Sequence, residues 1–353
     1  MPLEPALGPL SLYSFAVKNG FDGDLLDFNT IISEENIRDY DDIVNTSLQQ
    51  WLNSHPEAKI VGITVLFSGV FRRALKIAKV VKKIRSDVSV VIGGNHPSIF
   101  PKEIIENCPE IDYVVIGEGE EQFLNLLKLH SQGSVSKANL DIDNGIAYRS
   151  DGKVVVKEKI RYIYDLGSLG ITNYVQVNFA KYHTPDMDTW YNPKKHDIIC
   201  AMPITTSRAC PYSCSFCSMY RVMGRKFRSR PVEVVLEELK ILYYEHNIRY
   251  FRIMDDCSTF DKKNSMKLFL EIAKSDMDLS FEFYNGLSIR TLDNELIDIL
   301  VENGLVRGSL PIESGSEFLR NKIMNKNLPE DKIYEVYKYF EKNIPTYGLL
   351  DFF

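Results

Sequence analysis

"TSRACPYSCSFCSMYR", residues 206–221, sets Cys210, Cys214 and Cys217 in a C-x3-C-x2-C pattern. Three thiols is an awkward number, because a structural zinc takes four ligands and a disulfide takes two. Iron–sulfur clusters are held by cysteine thiolates, and a cubane has four irons, so three protein ligands leave one iron open. An open metal position is what a reactive centre needs, by analogy with catalytic zinc. Zinc stays an alternative if Cys200, Cys257 or His196 supplies a fourth ligand. Three inert thiols crowded into one Pro- and Ser-bearing loop is the weakest reading.

The flanking sequence places this loop on a fold. IICAMPITTS (198–207) predicts a strand that runs directly into the cysteines. PVEVVLEELKILYYEHN (231–247) predicts a helix with Val232, Val235, Leu236, Leu239 and Tyr243 on one face and Pro231 near its start. The alternation continues through strand IRYFRIMDD (248–256), a helix near 262–274, strand LSFEFYNG (279–286) and helix NELIDILVEN (294–303) closed by Gly304. Strand VRGSLPIESG (306–315), helix EDKIYEVYKYFEK (330–342) and a last strand in PTYGLLDFF (345–353) follow. Repeated βα units of this length predict a partial (β/α) TIM-like barrel with its chemistry in the carboxyl-end loops.

The first part of the chain has the same α/β rhythm. DLLDF (24–28), KIVGITV (59–65), VSVVIGG (88–94) and DYVVIGEG (112–119) are short apolar runs that suit buried parallel strands. VFRRALKIAKVVKKIR (70–85) sets Val70, Ala74, Ile77 and Val81 on one stripe, with most of its cations elsewhere, which predicts a crossover helix. The expected unit is a doubly wound, Rossmann-like domain with ligands at the carboxyl ends of its strands. GIAYRSDGKVVVK (145–157) predicts a hairpin turning at Asp151-Gly152. The expected division is residues 1–140, a hairpin and connector over 141–197, and the partial barrel from 198 to 353.

With 44% hydrophobic and 25% charged residues, composition is that of a globular chain. No apolar run approaches the ~18 residues of a membrane span, and the start lacks a signal-peptide pattern. The expectation is a cytoplasmic protein without a membrane partner. Six cysteines, three of them clustered, fit a reducing compartment better than a disulfide framework. A net charge of −6 argues against nucleic acid.

With Phe216 before its last cysteine, the C-x3-C-x2-C loop resembles the radical S-adenosylmethionine (SAM) superfamily. "RIMDDCSTFDKK" and "LPIESGSEFLRNKIMNK" are similar to later blocks of the branch with an N-terminal cobalamin-binding domain. "VGITVLFSG", "VIGGNHPSIFP" and "DYVVIGEGEEQFL" resemble that domain. The resemblance implies a 4Fe-4S cluster on Cys210, Cys214 and Cys217, SAM chelating the open iron, reductive SAM cleavage, and cobalamin in the cleft between domains. It implies methyl transfer to an unactivated carbon or similar centre, with radical ring formation or rearrangement as the second reading. A small-molecule substrate and an electron donor such as flavodoxin or ferredoxin would follow.

Site residues carry over position by position. Phe216, Asp255, Asp256, Arg290, Glu313 and Ser314 become the expected SAM contacts. Thr64, Ser68, Gly93, Gly94, His96, Gly117, Glu118 and Gly119 become the expected cobalamin contacts. The cations Arg221, Arg225, Lys226, Arg228 and Arg230 could offset an anionic substrate or the SAM carboxylate. Two departures stand out: the D-x-H-x-x-G signature is absent, and the strand count falls short at both ends. A shortened chain is therefore expected, and with it a third reading, a non-catalytic relative that holds a cluster.

Overall fold

A computed structural model of the chain describes residues 4–34, 40–131, 144–183, 194–343 and 350–352. It divides into two compact units. One is Gly8–Ile163 with Arg221–Met223; the other is Met1–Leu7, Tyr164–Tyr220 and Gly224–Phe353.

The first unit is built on a sheet of β1 (Ile60–Thr64), β2 (Ser89–Gly93), β3 (Tyr113–Val115), β4 (Ile146–Ser150) and β5 (Lys153–Lys157), in that order. The first three strands are parallel and the last two antiparallel. Its helices are α1 (Leu7–Lys18), α2 (Phe28–Glu34), α3 (Tyr40–Ser54), α4 (Phe71–Ile84), α5 (Asn95–Ile99), α6 (Pro101–Asn107) and α7 (Glu120–Ser131). Side chains alternate across a strand, and β2 uses both faces. Val90 and Ile92 join Val44, Leu48, Ala78, Val81 and Ile105 from α3, α4 and α6. Val91 faces the other way, in a cluster with Leu126 and Leu129 of α7. Helices on both faces make this sheet doubly wound. Each such side chain, fully buried, contributes about 1.5–3 kcal/mol.

Three local expectations change. DLLDF is not a strand: residues 21–27 have no regular structure and Phe28 opens α2. Its carboxylates are committed locally, Asp27 accepting from the Asn29 backbone N–H at 3.0 Å and Asp24 from the Trp51 indole at 2.8 Å. Val70 lies before α4 and is exposed, so the buried stripe is Ala74, Ile77, Ala78 and Val81. The hairpin belongs to the first sheet, because β4 buries Ile146, Ala147 and Tyr148 against β3. The unit therefore runs to Ile163 rather than to 140. The turn is as expected, with φ of 50° at Asp151 and 73° at Gly152, the pair that a type I′ turn requires.

In the second unit, β6 (Ala201–Ile204) leads into a short ribbon of β7 (Ser207–Arg208) and β8 (Arg228–Ser229). The main sheet adds β9 (Tyr250–Ile253), β10 (Ser280–Phe283), β11 (Leu305–Leu310) and β12 (Leu350–Phe352), in the order β12-β11-β10-β9-β6 and all parallel. Helices α8 (Met219–Met223, of which Arg221–Met223 count with the first unit), α9 (Val232–His246), α10 (Lys262–Ala273), α11 (Asn294–Glu302) and α12 (Glu330–Asn343) complete the described elements, with a π-helical turn at Phe318–Ile323. Residues 345–349 and 353 of the last expected strand lie outside the described residues.

One face of this sheet sets Met202, Ile204, Phe251, Ile253, Phe281 and Phe283 against the helices. The other is polar at its centre, where Arg252 donates to Glu282 at 2.8 Å and pairs with Glu4 at 3.1 Å. Asp261 and Asp293 cap α10 and α11 by accepting from Asn264 and Leu296 N–H groups. Gly304 ends α11 at φ 107°, where a Cβ would meet the Leu279 carbonyl at 2.5 Å. Among the described residues, no helix is long and apolar enough to cross a membrane.

Candidate functional site

The cysteine loop leaves the carboxyl end of β6, and its base is pinned by the next strand. Asp255, just beyond β9, is 1% exposed. Its carboxylate accepts from the Thr206 N–H at 2.7 Å and from the Thr206 and Ser207 hydroxyls at 2.6 Å each. Burial pushes its carboxyl up, against those bonds. Asp255 is thus spent on holding the loop, which removes it from the expected SAM contacts. Asp256 remains. Burial and the Asp255 charge raise it to about 6, against a hydrogen bond from the Ala209 N–H.

Ala209 has φ 71° and is fully buried, turning the chain sharply into Cys210. The far side of the loop is strapped by the segment after β11. The Ser215 N–H donates to the Met324 carbonyl at 2.9 Å, its hydroxyl to Ile323 at 2.9 Å, and Asn325 to Ser213 at 2.9 Å. So held, the half-buried Cys210, Cys214 and Cys217 line one small cavity with Tyr212, Met219 and Tyr220. Burial pushes the Cys214 and Cys217 thiols up, whereas a hydrogen bond from Cys257 brings Cys210 down to about 7.

Three thiols on one small cavity are a donor set of the kind that holds an iron–sulfur cluster. Among the described residues, no three His, Cys, Asp or Glu side chains are grouped closely enough to read as a preformed single-ion site. Two proposed fourth ligands are also misplaced. Cys200 precedes β6 and so lies at the opposite end of that strand from the loop, and His196 is held by Asp278 at 3.0 Å, before β10.

Other expected residues gather at the same strand ends. Arg290, beyond β10, stacks over the Tyr212 ring at 4.0 Å. Glu313, beyond β11, sits at φ 69° and pairs with Lys326 at 2.8 Å. Lys326 also lies 5.9 Å from the ring of Phe216, which is 52% exposed. The Ser314 hydroxyl is used locally, accepting from the Ser316 N–H at 3.1 Å. The five-cation run divides in two. Arg228 and Arg230 are buried, Arg230 against Glu238, while Arg221, Arg225 and Lys226 are exposed.

In the first unit, Thr64 ends β1, and Ser68 bonds His96 Nδ1 at 2.9 Å. The His96 ring packs between Phe71 and Phe100, and burial lowers its pKa. Gly94 has φ 107°, and a Cβ there would lie 2.6 Å from the Val65 carbonyl. Ser98 ties the two glycine loops together, donating to the Gly94 carbonyl at 2.7 Å and accepting from the Gly117 N–H at 2.9 Å. A Cβ at Gly93 would be in ordinary contact with Val115, and one at Gly119 would lie 3.1 Å from Leu12 Cδ2. Glu118 is buried and accepts from the Ile163 N–H at 3.0 Å, so it braces the unit instead of facing a ligand. Leu66, Phe67, Val70 and Phe100 are exposed apolar side chains, of which Phe100 packs against the His96 ring; periodicity singled out only Val70, and as a buried position.

Residues 5–127 match the B12 binding domain model, and residues 204–352 match the radical SAM superfamily model. The chain belongs to the radical SAM superfamily, with a B12-binding domain ahead of its radical SAM domain. An uncharacterized methyltransferase of Pyrococcus horikoshii is 32% identical over 274 residues, 78% of this radical SAM chain and 56% of the relative. The cytidylyl-2-hydroxyethylphosphonate methyltransferase of Streptomyces wedmorensis is 28% identical over 79% of the chain and 54% of its own length. An anaerobic magnesium-protoporphyrin IX monomethyl ester cyclase of Rubrivivax gelatinosus is 29% identical over 76% and 46%. The chain thus spans about half the length of these curated relatives. Its fold is similar to that of OxsB with aqua-cobalamin and SAM bound, at TM-score 0.72 and 20% identity over 99% of this chain and 46% of that one. TsrM from Kitasatospora setae gives TM-score 0.72 at 19% identity, over 100% and 65%.

Proposed function

We propose that this chain supplies the catalytic core of a cobalamin-dependent radical SAM methyltransferase acting on a small molecule. The convergence of Cys210, Cys214 and Cys217 on one cavity carries the reading. Their thiolates would hold a 4Fe-4S cluster through three irons. Asp256 would bind the SAM ammonium and Arg290 its carboxylate, an arrangement of charge-assisted hydrogen bonds. The exposed strand-end group Leu66, Phe67 and Val70 would receive the corrin face of cobalamin. When bound, these groups supply one-electron cleavage of SAM and a methyl carrier. The chain's own residues fix the loop, exclude water behind Tyr212 and Met219, and balance charge through Arg290.

An electron donor is part of this reading. Phe216 is exposed within the loop, and the exposed Arg225 donates to the Tyr212 carbonyl of the same loop, a cation that would complement an acidic carrier such as flavodoxin or ferredoxin. The similarity to the Rubrivivax cyclase favours a second reading, radical ring formation without methyl transfer.

The test is anaerobic reconstitution with iron and sulfide, followed by SAM and dithionite. The expected products are 5′-deoxyadenosine and methionine, with a cobalamin absorption spectrum on the protein loaded with hydroxocobalamin. A fully loaded cluster that yields no 5′-deoxyadenosine contradicts the enzyme reading. Product without cobalamin uptake selects the cyclase-type chemistry.

A further inference from the structure

The segment that straps the cysteine loop carries a buried arginine that neither the cluster ligands nor the SAM contacts account for. Residues 314–328 leave β11 and return to the core just before α12. Their π-helical turn, Phe318–Ile323, leaves Phe318, Leu319 and Ile323 exposed, so apolar burial does not hold it down. Arg320 is the buried residue of that turn, at 1% exposure. Its Nη1 donates to the Ser314 carbonyl at 2.8 Å and its Nε to the Leu328 carbonyl at 3.0 Å. One guanidinium thus closes both feet of the strap. Asn321 adds a second tie, donating to the Leu328 carbonyl at 3.1 Å and accepting from the Leu328 N–H at 2.7 Å. Leu328 belongs to the core cluster that includes Val336 and Phe340 of α12.

Two features of the strap cost stability. Arginine keeps its charge in proteins, yet among the described residues no carboxylate pairs with Arg320, and its Nη2 is buried without a hydrogen-bond partner. A buried donor left unmade is destabilising. The strap and its first foot also hold Glu313, Asn325 and Asn327 at φ of 69°, 52° and 52°. Such backbone persists only where the surroundings over-determine it, and it collects at working sites. What the locked strap holds is the stretch around Cys214. The Ser215 N–H donates to the Met324 carbonyl at 2.9 Å, and Asn325 donates to the Ser213 carbonyl and hydroxyl at 2.9 Å each. Both chain neighbours of Cys214 are therefore fixed by the strap. The base of the loop has a different anchor, Asp255 on Thr206 and Ser207.

We infer that Arg320 is a positioning residue: by closing the strap it fixes the Cys214 stretch of the loop and slows loss of iron from a bound cluster. The inference rests on the reading that Cys210, Cys214 and Cys217 hold a 4Fe-4S cluster.

The experiment uses the full chain as wild type, Arg320→Met, Arg320→Lys and Asn321→Ala. Amide hydrogen exchange is first followed in the cluster-free protein at the Ser215 and Thr206 N–H groups. Arg320→Met, which keeps bulk but loses the donors, is expected to exchange about ten-fold faster at Ser215 and to match the wild type at Thr206. Arg320→Lys, which keeps a donor, and Asn321→Ala are expected to lie between. The same proteins are then reconstituted anaerobically, and iron release to a ferrous chelator is timed. Release from Arg320→Met is expected to be about ten-fold faster than from the wild type. Equal exchange at Ser215 in Arg320→Met and wild type overturns the inference while leaving the cluster reading intact. Equal acceleration at Ser215 and Thr206 overturns it too, because the arginine would then serve the whole fold. Iron release at the wild-type rate from loaded Arg320→Met overturns it as well. If Arg320→Met does not fold, Asn321→Ala decides, and unchanged exchange at Ser215 in that variant overturns the inference. A wild type that takes up no four-iron cluster removes the cluster reading and this inference together.

Discussion

Two strand-end surfaces carry the proposed chemistry, and they are made of opposite materials. Beyond β6, β9, β10 and β11 the ends hold thiols, carboxylates and an arginine, half-buried and cross-linked by short hydrogen bonds. Beyond β1, β2 and β3 they hold glycine backbone and exposed Leu66, Phe67 and Val70. Point ligation needs a few atoms fixed to within tenths of an ångström, so the first surface is over-determined by polar bonds. A broad macrocycle is gripped by area, so the second surface needs openness and close backbone approach.

The largest expected effect lies on the ligating surface. Cys214→Ala should abolish iron uptake and lower 5′-deoxyadenosine formation more than about a thousand-fold, while circular dichroism stays that of the wild type. Retained iron in that variant would break the contrast between the two surfaces. On the apolar surface single changes should be graded instead. Phe67→Asp should weaken hydroxocobalamin binding by about ten- to a hundred-fold, followed by absorption titration, without loss of the iron–sulfur cluster. Gly94→Ala should destabilise the first unit by about 1–3 kcal/mol in denaturant melts, because its φ is 107° and a Cβ would meet the Val65 carbonyl.

Asp256 sharpens the comparison by its pH dependence. Its folded pKa, about 6, lies above the ordinary aspartate value. The folded state therefore holds more protons than the unfolded state between these values, so stability falls as pH rises through that window. Asp256→Asn should stabilise the cluster-free protein by about 1–2 kcal/mol at pH 8 and by almost nothing below pH 4. The same change should weaken SAM binding, a trade of stability for function that urea melts and equilibrium dialysis read separately.

The sequence made the ligating surface easier to read than the apolar one. Spacing of Cys210, Cys214 and Cys217 survives in one dimension because three ligands fit one loop. The βα alternation likewise placed β6, β9, β10 and β11 and the strands of the first sheet. Asp255 and Glu118 looked like ligand carboxylates, because nothing local shows that Thr206 and Ile163 consume them. Leu66, Phe67 and Phe100 gave no periodic signal, since they lie between β1 and α4 and just before α6, and Val70 gave a false one as a stripe residue of α4. DLLDF misled for the converse reason: its adjacent leucines are flanked by aspartates that bond to nearby backbone and to the Trp51 side chain.

The central claim is that three cysteines on one loop hold a four-iron cluster with one iron left open. EPR of the anaerobically reconstituted, dithionite-reduced protein, recorded with and without SAM, tests it most directly. The account predicts about four irons and four sulfides per chain and a reduced-cluster signal that shifts when SAM is added. A protein that instead binds one zinc tightly, or whose cluster signal is indifferent to SAM, would contradict it.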